Sequence, residues 1–193
     1  MAPDHGATVR AVNALTARWA RHALRDEGTV FTAAGLWPLL ASLTAGAHGP
    51  ARAELAHALG THTDTYGADP AAVPATTAPV APADSRALDL AAREAARRSR
   101  DLVAQLRGIP GVDAALGLWT RDVLALEPEW AGALPPLAHG ELTGDAEADR
   151  ARLDDWASSN TGGQIPAMPV EIAPDTLLVL ASALTVRTRW ARP

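Results

Sequence analysis

A long β-like segment at residues 177–190 constrains the fold of this 193-residue chain more than any other feature. Its first half is apolar at consecutive positions, and its second half alternates polar with apolar side chains, a pattern typical of an extended strand. The segment predicts one strand of about fourteen residues, where five or six are usual. A strand that is apolar on both faces needs neighbouring strands and cover on both faces of its sheet.

Most of the remaining chain carries helical patterns. Apolar residues recur every three or four positions from Val9 to Ala23, which predicts an amphipathic helix that ends near Gly28. Residues 36–47 are apolar nearly all round, so we expect this second helix to be buried at the centre of the fold. Further helices are predicted at residues 50–59, at residues 85–107, around Trp130 and at residues 145–160.

Shorter β segments accompany the long one. Residues 30–32 predict a short strand, and residues 114–120 predict another, with residues 123–126 as its continuation. Residues 61–84, by contrast, are rich in Pro, Ala and Thr and have no periodic apolar face. We therefore expect a flexible insert loop there.

Charge and cysteine content exclude several classes of function. The net charge is -5 at pH 7, so nothing in the overall balance favours nucleic acid or an anionic membrane as a partner. The absence of cysteine excludes disulfides, thiol catalysis and thiolate metal sites. All 17 basic residues are arginine, which we interpret as compositional drift, as in a GC-rich genome, and not as a sign of an arginine-specific function.

The sequence carries no signal for export or membrane insertion. The amino terminus has neither a basic start nor an apolar run, so it does not resemble a signal peptide. The longest apolar run, at residues 177–184, is too short to span a bilayer. By default we expect a soluble cytoplasmic protein.

No arrangement of residues predicts catalysis or a cofactor. His57 and His62 flank a predicted helix end at Gly60, where they would not be preorganised for a metal ion. Ser158 and Ser159 have no histidine at a spacing that suggests nucleophilic catalysis. The chain is therefore not expected to be an enzyme, and neither a metal nor another cofactor is predicted.

Three ordered segments near the end of the chain resemble a signature of the serpin family of protease inhibitors. In that signature an aromatic residue on a helix is followed at fixed spacing by Thr, Gly and Ile. An Asp-Thr pair then opens a long strand, which closes on Trp with a Pro three residues later. The matching residues here are Trp156, Thr161, Gly163, Ile165, Asp175, Thr176, Trp190 and Pro193.

The amino-terminal part of the chain supports the same resemblance. Residues 31–47 are similar to the family's strand followed by a buried helix, and residues 51–55 are similar to the short helix after it. Residues 116–119 resemble the second strand of the family's large sheet. The ordered set covers nearly all of the chain outside residues 61–84.

The resemblance is to a bacterial-type serpin, and it implies an α+β, serpin-like fold in which residues 1–193 form the amino-terminal part of a single serpin domain. About six helices would pack on the first three strands of a large mixed β-sheet. Residues 177–190 would be the central strand beside which the cleaved reactive loop inserts. In this family a protease cuts that loop, the loop inserts as a new strand, and the trapped acyl-enzyme is distorted.

Five positions correspond by resemblance to the region that governs opening of the family's sheet, and we call them the sheet-opening residues. They are Thr32, Gly35, Trp37, Ser182 and Trp190. The family usually has Ser-Pro after the Phe, further serines one turn on, and Asn on the long strand. This chain therefore departs from the pattern at all but Trp190.

A serpin is roughly twice as long as this chain, and its reactive loop lies in the second half. The chain is thus expected to be a fragment of an inhibitor of serine or cysteine endopeptidases. The protease would be reached through the missing half, and the 193 residues should not inhibit alone. The alternative is a non-inhibitory half-serpin, a binding or assembly module completed by a partner strand. Family members are often extracellular.

Arginines recur at helical spacing within residues 85–107, at Arg93, Arg97, Arg100 and Arg107. The corresponding helix binds sulfated polysaccharide in some serpins, so one interpretation is a polyanion-binding face. The other is an ordinary solvated face, because acidic residues are interleaved with the arginines, and this interpretation is favoured.

Overall fold

A computed structural model of the chain describes residues 5–23, 31–60, 82–134 and 139–188. These residues form six helices and three strands, and none of the described helices is long and apolar enough to cross a membrane. The contacts divide the chain into two compact units, Met1–Ser99 and Arg100–Pro193. In chain order the elements are α1 (His5–Ala23), α2 (Leu36–Gly46), α3 (Gly49–Leu59), α4 (Pro82–Arg107), β1 (Val112–Arg121), α5 (Pro128–Ala133), β2 (His139–Leu142), α6 (Ala146–Thr161) and β3 (Leu178–Val186).

Helix α1 of the first unit is amphipathic, as its sequence predicts. Val12 and Leu15 are buried on one side of the helix. The Thr16 hydroxyl donates to the carbonyl of Val12 and accepts from the amide of Ala33, both at 2.9 Å. The predicted helix end at Gly28 lies outside the described residues.

Helix α2 is buried, which confirms the prediction from its apolar surface. Trp37 is 1% exposed. The carbonyl oxygen of Pro38 accepts hydrogen bonds from two hydroxyls, that of Ser42 at 2.9 Å and that of Ser99 at 3.2 Å. Because Ser99 lies on α4, this carbonyl joins α2 to α4. Helix α3 follows and ends at Gly60, whose φ of 70° is the left-handed conformation that favours glycine.

Two boundaries in the first unit differ from the prediction. Residues 31–32 are not in a strand, because a short strand needs a partner strand and the described part of this unit contains none. Phe31 packs instead on Trp19, with ring centroids 4.9 Å apart. Helix α4 begins at Pro82 and not at residue 85, since proline is well suited to a first helical turn. Residues 61–81 of the predicted insert lie outside the described residues.

The second unit contains a three-stranded mixed sheet in the order β2-β1-β3. Strand β1 lies in the middle, parallel to β2 and antiparallel to β3. Trp119 of β1 pairs in register with Gly140 of β2 and with Val179 of β3. Six consecutive residues of β1 are buried, so both of its faces are covered, and the strand predicted at residues 114–120 is confirmed.

The sequence is less informative next to β1. Residues 123–126 do not continue that strand, because the amide of Leu124 bonds the carbonyl of Arg121 at 3.0 Å and closes a turn. Strand β2 has no strong sequence signal, since two of its four residues, Gly140 and Glu141, belong to types that strands disfavour. Its pairing with β1 makes it a strand.

Strand β3 has nine residues, so the strand predicted over residues 177–190 is too long at residues 177 and 187–188, while residues 189–190 lie outside the described residues. The last pair in the ladder joins Val112 to Val186. Beyond it the amide of Arg187 still bonds the carbonyl of Gly111, and there the partner strand turns away, since Gly111 has a φ of 82°. The strand therefore ends at Val186. Among the described strands β3 is an edge, and β1 is central.

Helix α6 begins and ends as predicted. The carboxylate of Asp145 accepts from the amides of Glu147 and Ala148, both at 3.1 Å, and so caps the amino-terminal turn. At the other end Gly162 adopts a φ of 59° and terminates the helix. The short helix predicted around Trp130 is present as α5.

Candidate functional site

The candidate site is the edge of β3 that does not face β1. The amide of Arg121 donates to the carbonyl of Leu177 at 2.9 Å, and the amide of Arg187 donates to the carbonyl of Gly111 at 2.6 Å. Bonded and non-bonded pairs alternate along an antiparallel ladder, so odd-numbered residues of β3 bond to β1. The even-numbered residues of β3 direct their amides and carbonyls away from β1, and no described strand forms hydrogen bonds with these groups. We call this the free edge of β3.

The predicted sheet-opening residue Ser182 lies in the middle of the free edge. It pairs in register with Leu116 of β1, and its side chain is half-buried. Its neighbours Ala181 and Ala183 are buried, on the opposite face of the strand. A strand that is buried on one face and has an unpaired row of amides and carbonyls along one edge can accept one further strand.

The buried face of the sheet is built around Trp119. Its indole ring lies over two glycines, Gly117 on the same strand and Gly140 on β2, and a Cβ at either glycine would overlap the ring. The same ring meets Trp156 of α6 edge to face, with centroids 5.0 Å apart. The two glycines therefore make room for a large side chain that carries α6.

Helix α6 packs on this face through a compact apolar cluster. Leu153 of α6 is fully buried against Trp119, Leu142 of β2 and two residues of β3. Burial of a leucine side chain contributes about 2 kcal/mol. The helix thereby covers the face of the sheet that belongs to the odd-numbered residues of β3.

Asp149 fixes the start of α6 against the end of β2. Its carboxylate is almost fully buried and accepts from the amide and hydroxyl of Thr143 and from the amide of Gly144, all at 2.9 Å. Burial by itself raises the pKa of Asp149, but these three hydrogen bonds and the nearby Arg152 guanidinium together lower the pKa below its usual range. Asp149 is therefore a charged group that holds a turn.

The connection between α6 and β3 runs back along the helix. The Thr161 hydroxyl accepts from the amide of Ile165 at 3.0 Å, and the Asp154 carboxylate accepts from the amide of Met168 at 2.7 Å. Met168, Val170 and Ile172 pack at the margin of the apolar cluster. The helix and its connection thus form one layer on the sheet.

Comparison with known proteins identifies this arrangement. A sequence model described as Serpin (serine protease inhibitor) matches residues 10–193, nearly the whole chain. This chain belongs to the serpin family. A search of curated protein sequences returned no match.

Solved serpin-fold structures share the fold at low sequence identity. Mouse protein-Z dependent protease inhibitor is 15% identical, with a TM-score of 0.62, over 97% of this chain and 45% of its own. Thyroxine-binding globulin in complex with thyroxine is 15% identical, with a TM-score of 0.63, over 96% and 46%. Lamprey angiotensinogen with a cleaved reaction loop is 17% identical, with a TM-score of 0.63, over 93% and 47%. The chain spans less than half the length of these structures, and its fold is α+β and serpin-like.

The sheet-opening residues predicted from the serpin resemblance fall in different parts of the chain. Thr32, Gly35 and Trp37 lie in the first unit and Ser182 in the second, while Trp190 is outside the described residues. The Thr32 hydroxyl accepts from the amide of Ala34 at 3.2 Å. Gly35 precedes α2, and the buried indole nitrogen of Trp37 has no hydrogen-bond partner among the described residues.

Two arginines of α4, Arg97 and Arg98, form ion pairs with Glu94 on the same helix. Arg97 makes a bidentate contact with Glu94, at 2.9 and 2.7 Å, and Arg98 adds a third bond at 2.8 Å. The pKa of Glu94 is lowered to about 2, first by the hydrogen bonds from Arg97 and then by the bond from Arg98 and the charges of both arginines. Burial raises the pKa of Glu94, but by less than these effects lower it. Burial lowers the pKa of Arg52, and the nearby positive charge of Arg93 lowers it further. Polyanion binding by this helix remains a prediction.

Sequence reasoning missed several residues that build the site. Gly117 stands two positions before Trp119 on one strand, so both lie on the same face, and this spacing could have indicated their packing. Gly140 acts through the pairing of β2 with β1, which no local pattern shows, and the hydrogen bonds of Asp149 to Thr143 and Gly144 were not predicted. Among the described residues, no group of three or more metal-ligating side chains is present.

Proposed function

We propose that this chain is part of a serpin-type inhibitor of serine or cysteine endopeptidases, with the free edge of β3 as the acceptor for an inserted strand. The observation that carries the proposal is the ladder of β3. One edge is bonded to β1 along nine residues, and no described strand pairs with the other. Membership of the serpin family supports the proposal.

The reactive loop is proposed to lie outside these 193 residues. Support comes from the solved relatives, of which this chain matches 45%, 46% and 47% of the length. A strand that inserts beside β3 would complete the hydrogen bonds of the five even-numbered residues, Leu178 to Val186. Because the inserted strand would gain a full ladder of hydrogen bonds, it would leave the sheet more slowly than the trapped acyl-enzyme is hydrolysed.

The test is covalent trapping of a protease. A protein that contains this chain within its complete reading frame is incubated with trypsin-, chymotrypsin-, subtilisin- and papain-like enzymes. A complex that survives boiling in detergent is the expected result with at least one of them. Ser182→Pro should convert the protein from inhibitor to cleaved substrate, because proline removes an amide from the free edge. Asp155→Asn, an exposed change on α6, is the matched control and should still trap the protease.

The 193-residue chain alone should form no such complex with any protease. A detergent-stable complex with this chain would contradict the proposed position of the reactive loop. Cleavage without trapping by every enzyme, in the protein with its complete reading frame, would instead favour the binding-module alternative. In that case a partner that contributes a strand to the free edge should co-purify with the protein.

A further inference from the structure

Two arginines, one at the end of β1 and one directly after β3, lie close to the two ends of α6. Arg121 ends β1 and lies against Gly144, one residue before the cap of α6. Arg187 follows β3 and lies against Gly162, the residue that terminates α6. Both glycines have positive φ, 89° and 59°, and at both a Cβ would meet the guanidinium group. One arginine therefore lies at each end of α6. We call the contact with Gly144 the Arg121 clamp and the contact with Gly162 the Arg187 clamp.

The Arg187 clamp is ionic. The guanidinium forms an ion pair with the carboxylate of Asp113 on β1, and the Thr185 hydroxyl donates to the same carboxylate at 3.3 Å. A Cβ added to Gly162 would stand 2.8 Å from Nη1 of Arg187, so the guanidinium lies close to this glycine. The carboxyl-terminal end of a helix carries partial negative charge, so a cation there is favoured. Charge therefore attracts this end of α6 to the β1–β3 pair.

In the Arg121 clamp the acceptor found among the described residues is a carbonyl oxygen and not a carboxylate. Nη1 of Arg121 donates to the carbonyl oxygen of Pro174 at 2.9 Å, and its buried Nε has no partner among the described residues. This guanidinium also lies near the amino-terminal end of α6, where the helix dipole disfavours a cation. The amino-terminal end is held mainly by the hydrogen bonds of Asp149 to Thr143 and Gly144.

We propose that the ends of α6 open independently, and that the ion pair between Arg187 and Asp113 controls opening of the carboxyl-terminal end. The side chains of this pair are 47% and 34% exposed, so dissolved ions reach them and weaken their attraction. Salt should consequently loosen one end of α6 and leave the other unchanged. The inference concerns the helix itself and holds whether or not the protein inhibits a protease.

Amide hydrogen exchange of the native protein tests the proposal, because separate amides report on each end. Gly163 bonds the carbonyl of Ser158 at 2.8 Å at the carboxyl-terminal end, and Gly144 bonds Asp149 at the other. Arg187→Gln should speed exchange at Gly162 and Gly163 by about threefold to fivefold and leave Gly144 unchanged. Raising the salt concentration to about 1 M should do the same to the wild-type protein and add nothing to the variant.

Two variants serve as controls. Arg150→Gln removes another exposed arginine of α6, one that reaches the carbonyl of Val170 at 3.4 Å, and should leave Gly162 and Gly163 as in the wild type. Asp113→Asn keeps an acceptor for Thr185 but removes the charge, and should reproduce the effect of Arg187→Gln. Equal acceleration at both ends of α6, or exchange at Gly163 that does not respond to salt, would overturn the proposal.

Discussion

The indole of Trp119 on β1 meets the indole of Trp156 on α6 edge to face, at an interplanar angle of 83°. Trp119 can lie in this position only because Gly117 and Gly140 present no side chain to its ring. A Cβ on Gly117 would also stand 3.1 Å from the Trp156 ring. Protein interiors are close-packed, so a side chain added at either glycine should displace both indole rings.

Gly117→Ala should destabilise the protein by about 1–3 kcal/mol, because the new methyl group overlaps the Trp119 ring and forces both indoles to move. Urea unfolding followed by tryptophan fluorescence measures the change. Gly132→Ala is the matched control, since a Cβ there meets nothing within 4 Å and alanine favours the α5 helix. Equal midpoints for the two variants would show that the packing of Trp119 over Gly117 is not tight.

The helices were largely predictable from sequence because their signals are local. The cap at Asp145, the glycine at Gly162 and the apolar spacing of Leu153 lie within one stretch of chain. Strand β2 depends instead on pairing with β1, and the end of β3 depends on a turn at Gly111. Neither feature leaves a pattern at the residues it affects.

The candidate site was predictable in outline only. The run at residues 177–190 indicated a strand that needs partners, and Ser182 was placed on it by resemblance. Which of its edges is free follows from the hydrogen bonds of Leu177 and Arg187, which a sequence does not contain. The contacts of Arg121 and Arg187 with the ends of α6 join residues far apart in the chain, so no local pattern indicates them.

Asp149→Asn should destabilise the protein by about 3 kcal/mol at pH 7, because an amide leaves one of the buried donors of Thr143 or Gly144 unpaired. The folded-state pKa of Asp149 is lowered, so its contribution is present above the ordinary aspartate pKa of about 3.9 and is lost as the pH falls below it. Unfolding midpoints of the wild type and the variant should therefore begin to converge below about pH 4 and should meet once the pH has fallen through the lowered folded-state pKa. Asp155→Asn, on the exposed side of α6, should follow the wild type throughout.

Glu94→Gln should cost less than about 1 kcal/mol, because the Glu94 side chain is 38% exposed and its ion pairs with Arg97 and Arg98 are screened by solvent. The pKa of about 2 lies below the ordinary glutamate value, so the contribution exists above about pH 4.3 and fades as the pH falls toward 2. Urea midpoints at pH 3 and pH 7, each with and without about 1 M salt, measure it. A loss that persists in high salt would contradict an electrostatic origin, and Glu54→Gln on α3 provides the control.

The free edge of β3 should make the 193-residue chain prone to pairing with other chains, since unpaired strand edges template assembly. Ser182→Pro should slow concentration-dependent assembly several-fold, as measured by light scattering and thioflavin fluorescence on mild heating. The proline removes an amide that points away from β1, so the pairing of β1 with β3 and the circular dichroism spectrum should be retained.

Ala183→Pro is the matched change on the neighbouring residue. Its amide bonds to β1, so the same substitution should lower the stability by about 3 kcal/mol and increase assembly. Opposite effects of proline at two adjacent positions are expected only if the edges of β3 differ as its hydrogen bonds indicate. Assembly of Ser182→Pro at the wild-type rate would mean that the chains associate through some other surface.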